Sequence, residues 1–191
     1  MNNRILYQEV YHEWEEFARH RNLDLNISRK SDTFGGGILK YVEFAATNKE
    51  KTIKIYQYFI QFDSWLDYIE TPEFLTLEYE EDLKKNISVS IWRKGVLEKL
   101  CLRNRLKTNN KQFNTTFSIK SIPKKLGTII FNDKKIQSLF IQNIFLVFNV
   151  SSKKGVVKIQ LKNVATKYHN IESLENHFDN FIQLIDRTIN E

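Results

Sequence analysis

Four histidines and one cysteine are the side chains best suited to nucleophilic, acid–base or transition-metal chemistry, and their spacing gives none of them a local partner. His12 and His20 lie eight residues apart, as do His169 and His177. On a helix that spacing is two turns, about 12 Å of axis, too far for both rings to hold one ion. The run His12-Glu13-Trp14-Glu15-Glu16 resembles part of a zinc-protease helix, but that chemistry needs a second His at position 16, where Glu stands. Cys101 has no nearby His to take its proton and reads as a small buried hydrophobe. Asp63, Asp67, Glu70 and Glu73 offer oxygen ligands without the Asp-x-Asp-x-Asp-Gly loop that calcium sites use, so they read as a solvated acidic loop. Gly35-Gly36-Gly37 runs into a β-branched segment rather than a helix, which fits a bulge or close backbone approach and not a phosphate cradle. No catalytic residue, metal ligand or cofactor is assigned on this basis, and the chain leans away from being an enzyme.

Charge is distributed far from evenly. From Lys84 to Lys167 there are 19 Lys and Arg against only Glu98 and Asp133, whereas residues 1–83 are net −7 and residues 168–191 net −4. A segregated charge of this kind bears on partners and association rather than on fold. Within the basic stretch, Lys124 and Lys125 follow Pro123, and Lys134 and Lys135 follow Asn132-Asp133. Both pairs fall in the first turn of an expected helix, where the dipole disfavours cations but free amides and ammonium groups together suit phosphate or carboxylate. These four lysines are the candidate anion-binding residues. The partners that follow are an acidic protein, nucleic acid or an anionic membrane surface. Phe113, Phe117, Phe131 and Tyr168 lie in the same stretch, where they fit core positions better than base-stacking positions.

The elements that must position these residues follow from periodicity. Leu6, Val10, Trp14, Phe17 and Ala18 predict an amphipathic helix over 4–21. A polar loop, strands over 38–46 and 52–62 forming a hairpin, and an irregular stretch over 63–74 come next. Short strands at 75–79 and 87–93 precede a helical turn at 95–102 that carries Cys101. Alternation of Phe113, Thr115, Phe117 and Ile119 predicts a strand with one buried face. Pro123 opens one short helix with Leu126, Ile129 and Ile130 inward, and Asn132 or Asp133 caps a second with Ile136, Leu139 and Phe140 inward. A hairpin over 144–161 turns at 151–155. The strongest periodicity is in a C-terminal helix capped by Asn170, with Ile171, Leu174, Phe178, Phe181, Ile182, Ile185 and Ile189 on one stripe.

This order of elements, with a polar turn leading into Phe113-x-x-x-Phe117, resembles a family of uncharacterised bacterial α+β domains in which Phe-Asp-x-x-Phe begins a strand. Here Asn114 replaces the Asp. The resemblance implies the fold and a bacterial source, and it brings no chemistry with it.

The reading is a single α+β domain over 1–191: a mainly antiparallel sheet of six or seven strands, helices at both ends and a short helical pair between strands. A lone cysteine and no apolar run of spanning length point to a soluble, cytoplasmic protein. Two functions stay open: a non-catalytic interaction or adaptor domain, and polyanion binding through residues 84–167.

Overall fold

The computed structural model describes residues 3–34, 37–48, 51–63, 68–95, 106–143, 145–164 and 171–190, and among these the 3.6-residue and two-residue periodicities of the sequence become five helices and eight strands. In chain order these are α1 (Asn3–Arg21), β1 (Asp24–Phe34), β2 (Gly37–Asn48), β3 (Lys51–Asp63), β4 (Tyr68–Asp82), β5 (Ser88–Arg93), α2 (Lys111–Thr116), β6 (Phe117–Ile122), α3 (Lys124–Phe131), α4 (Lys134–Gln142), β7 (Leu146–Lys153), β8 (Val156–Val164) and α5 (Ile171–Ile189). The fold is α+β with antiparallel strands and helices at both ends, as the periodicity implied. Residues divide into two compact units, Met1–Leu77 with Val164–Phe178 and Glu78–Asn163 with Asp179–Glu191, so the boundaries fall inside β4 and α5. Among the described residues no helix is long and apolar enough to cross a membrane.

In the first unit the strand order is β1-β2-β3-β4. β1 pairs with β2 from Asp24↔Thr47 to Phe34↔Gly37, and β2 pairs with β3 from Ile38↔Gln61 to Asn48↔Lys51. The sequence marked 22–34 as a polar loop; it is mostly strand. Only Leu25 and Ile27 alternate there, and the strand rests on backbone pairing along β2 rather than on an apolar face of its own. Tyr68–Phe74, expected to be irregular, belongs to β4. The same Pro72 restriction that steers Thr71 away from helix leaves it free for extended backbone. α1 buries Trp14, Phe17 and Ala18, with Trp14 edge-on to Phe17 at 5.4 Å and Phe17 edge-on to Phe178 at 5.2 Å. It ends in a Schellman motif: Asn22 takes φ 51°, its amide donates to Arg19 O, and the Leu23 amide donates to Ala18 O.

The second unit follows the order β4-β8-β7-β5-β6. Register aligns Ser121, Val89, Val150 and Ile159 in one row and Ile119, Ile91, Phe148 and Leu161 in the next, and all eight side chains are buried. On that face Phe113, Phe117, Phe131, Phe140 and Phe148 form a ring cluster with centroid separations of 5.0 to 6.4 Å. The opposite face is mixed: Ser90, Asn149 and Gln160 form one half-buried row with Lys120 exposed at its end, and half-buried Trp92 and Val147 and exposed Ile122 lie on the same side. At the β4 end Glu78 is buried, and it accepts from Gln160 Nε2 and Lys158 Nζ at 2.7 Å each. Ser118, paired with Trp92, is also buried, and its Oγ has no hydrogen-bond partner among the described residues. The β7–β8 turn is Lys154-Gly155, both at positive φ (53° and 86°), a two-residue hairpin whose twist matches its strands.

Two local expectations change here. The strand expected from Phe113 begins only at Phe117, because Lys111–Thr116 is helical. Asn110 caps that helix by accepting the Phe113 amide hydrogen at 3.1 Å, and the Asn114 side chain accepts from Thr108 N at 2.8 Å while donating to Thr108 O at 2.8 Å. Phe113 and Phe117 therefore meet as i, i+4 neighbours across a helix-to-strand junction. The expected helical turn at 95–102, and Cys101 with it, lies outside the described residues apart from Gly95.

Candidate anion-binding surface

β6 leads through a cis Ile122–Pro123 bond into α3, so Lys124 and Lys125 occupy the first turn and both are exposed. Pro123 offers no side-chain cap. Ser121 acts in its place from upstream, accepting the Gly127 amide hydrogen at 3.0 Å. α4 starts from Asp133, whose Oδ1 accepts from the Lys135 and Ile136 amides at 2.8 and 3.4 Å. Its Oδ2 lies 2.7 Å from Arg187 Nη2 on α5. The amides at the α4 start thus already serve a carboxylate of this chain, and that carboxylate is matched in turn by a guanidinium. Lys134 and Lys135 stand exposed beside it.

Lys134 lines a cleft of about 520 Å³ together with Asn109, Asn110, Lys111, Gln137 and Ser138. Lys124, Lys125 and Lys135 are not among its lining residues. Of the four lysines singled out from sequence, the structure therefore brings one into a cleft and supplies it with a different cationic neighbour, Lys111. Gln137 forms the cleft floor and is 3% exposed. Its Nε2 donates to Phe131 O at 2.6 Å and to Asn109 Oδ1 at 2.9 Å, and its Oε1 accepts from Asn110 Nδ2 at 3.1 Å. The Asn109 amide donates to Asn132 Oδ1 at 3.0 Å. The Asn109–Lys111 turn and the end of α3 are thereby fastened to one buried amide of α4. Among the described residues, Lys111, Lys124, Lys125, Lys134 and Lys135 form no ion pair. Sequence reasoning missed Lys111, Gln137 and Ser138. The signal available was Asn109-Asn110 as a cap just ahead of Lys111.

No family model, curated protein or solved structure matches the chain. The character of the surface rests on its own side chains.

Among the described residues, Tyr79 and Lys158 have structural reasons for their shifts. Tyr79 is pushed up to about 12, first by burial, then by its hydrogen bond to Glu81 and the charges of Glu81 and Asp186. For Lys158 burial works against the ammonium, but bonding to Glu78 and Glu80 outweighs it and holds its pKa above the ordinary value. A second cleft, about 460 Å³, is lined by Asp179, Ile182, Gln183, Asp186, Arg187 and Asn190 of α5 and the residue after it, with Arg187 committed to Asp133. Among the described residues no three His, Cys, Asp or Glu converge as a metal site would need. His12 and His20 are exposed, His177 is buried, and His169 and Tyr168 lie outside the described residues. Phe113, Phe117 and Phe131 are buried in the ring cluster. Exposed instead is Phe145, with the Arg93 guanidinium 5.8 Å above its ring.

Proposed function

We propose that the chain is a non-catalytic interaction domain that docks an anionic partner through the lysines of α2, α3 and α4 within its basic stretch, residues 84–167. The observation that carries this reading is the set of five exposed lysines on α2, α3 and α4 without an ion pair among the described residues, while Asp133, the acid at the start of α4, is already bound by Arg187 and helix amides. Uncompensated cations raise association rates with anions and leave the fold little to gain by keeping them. Tyr79 and Lys158, whose pKa values are shifted, answer to neighbouring carboxylates and burial and line neither cleft, which fits structure rather than catalysis. The single Cys101 fits a reducing, cytoplasmic setting.

Fluorescence anisotropy across a salt series tests this. Labelled poly-glutamate, a labelled oligonucleotide and phosphatidylserine vesicles serve as probes, on wild type and on K124E/K125E/K134E/K135E. Salt-sensitive binding that the quadruple variant weakens is expected, with a log–log slope shallower by up to about 0.9 for each duplex phosphate the variant no longer neutralises. If wild type binds no anionic probe at low ionic strength, the lysines are a solvated face and the reading fails.

A further inference from the structure

Resting on that reading, the geometry points to an acidic peptide segment of a partner protein as the ligand, with its carboxylates seated in the cleft between the Asn109–Lys111 turn and the first two turns of α4. The cleft volume of about 520 Å³ is in the range that holds a few side chains. Its cationic groups are Lys111 and Lys134, both exposed and both without an ion pair among the described residues. Ser138 adds a hydroxyl that can donate to a carboxylate or to a peptide carbonyl. The start of α4 contributes no free amide at Lys135 or Ile136, since Asp133 holds both, so recognition rests on the side chains.

Two features make this a prepared surface. Gln137 spends both amide hydrogens on Phe131 O and Asn109 and accepts from Asn110, so the two walls are held in register before any partner arrives. Fixing the roots of the lysines in advance lowers the ordering cost of binding. The lining also contains no aromatic ring, and the nearby Phe113, Phe131 and Phe140 are fully buried. Single-stranded nucleic acid relies on aromatic faces for stacking, and a lipid surface favours exposed apolar groups beside its cations. Amides, a hydroxyl and two ammonium groups match a Glu- or Asp-rich peptide instead.

The test uses the full chain, a fluorescein-labelled peptide of alternating Glu and Ser, and labelled oligothymidylate of equal charge. K111A/K134A removes the charges, S138W fills the cleft without altering charge, and K153A/K154A removes two lysines at the β7–β8 hairpin. Peptide affinity should fall about tenfold in K111A/K134A, the scale of two exposed charge pairings, and comparably in S138W, while K153A/K154A stays near wild type. Peptide binding that neither cleft variant changes would overturn the cleft assignment while leaving the broader docking reading intact. Tighter binding of oligothymidylate than of peptide, abolished in the cleft variants, would overturn the peptide class. Wild type that binds neither probe removes the docking reading and this inference together.

Discussion

Ser121 Oγ accepts the Gly127 amide hydrogen at 3.0 Å and donates its own hydrogen to the Pro123 carbonyl at 2.7 Å, so one hydroxyl ties the end of β6 to the first turns of α3. The approach is close enough that a Cβ on Gly127 would lie 2.5 Å from Ser121 Cβ and 2.8 Å from its Oγ. Gly127→Ala should therefore destabilise the protein by about 1 to 3 kcal/mol, the scale of overpacking in a tight contact. Urea denaturation of wild type and variant reads it directly. A variant as stable as wild type would mean the helix can lift away from the strand without loss.

Asn110→Ala removes the cap of α2 and the donor to Gln137 Oε1 in one step. A loss of about 1 to 2 kcal/mol is expected from the cap. Because Gln137 is buried, the change should also loosen the cleft floor, visible as faster exchange of the Gln137 side-chain amide hydrogens held by Phe131 O and Asn109 Oδ1. Exchange unchanged there while the cap is lost would separate the cap from the cleft.

Phe140 touches Phe113, Phe117 and Phe131 at edge-on angles and is fully buried; Phe181, on the stripe foreseen for the C-terminal helix, is equally buried. Truncating either to Ala should cost about 3 to 5 kcal/mol, a large share of a marginal total. Thermal melts decide it: a transition at the wild-type temperature in either variant contradicts the packing described.

Tyr79 gives a pH signature. Its phenol holds its proton more tightly folded, at about 12, than at the ordinary 10.0. Its contribution is complete below the lower value and drains away as pH rises toward the higher one. Wild type should therefore lose stability more steeply over that alkaline window than Tyr79→Phe, in denaturant titrations at matched pH. Parallel decline in the two proteins would show that the phenol has no such role.

Elements whose local preference agreed with their tertiary setting were legible in the sequence. α4 is the clearest case, with Asp133 at its cap and Ile136, Leu139 and Phe140 inward, and the β7–β8 hairpin with Val157, Ile159 and Leu161 buried is another. Where two patterns share residues, periodicity misled. Phe113 and Phe117 suit both one face of a strand and one face of a helix, and the choice was made by Asn110 and Asn114 bonding back to the chain. β1 was missed because pairing along β2 leaves little trace in side-chain polarity. Half the candidate surface could be read, since Lys134 sits where a capped helix puts it, but Lys111 came beside it only through Gln137. A single glutamine in an amphipathic helix carries no sign that it will be buried.

The Ser118 hydroxyl, orphaned among the described residues, has a bearing on how freely this sequence can drift. A buried hydroxyl without a partner costs about 1 to 3 kcal/mol against an apolar side chain of the same shape, so the fold carries a standing handicap at that position. Alanine there would turn the handicap into reserve, and reserve is what allows a lineage to absorb destabilising changes at a binding surface while it explores new partners.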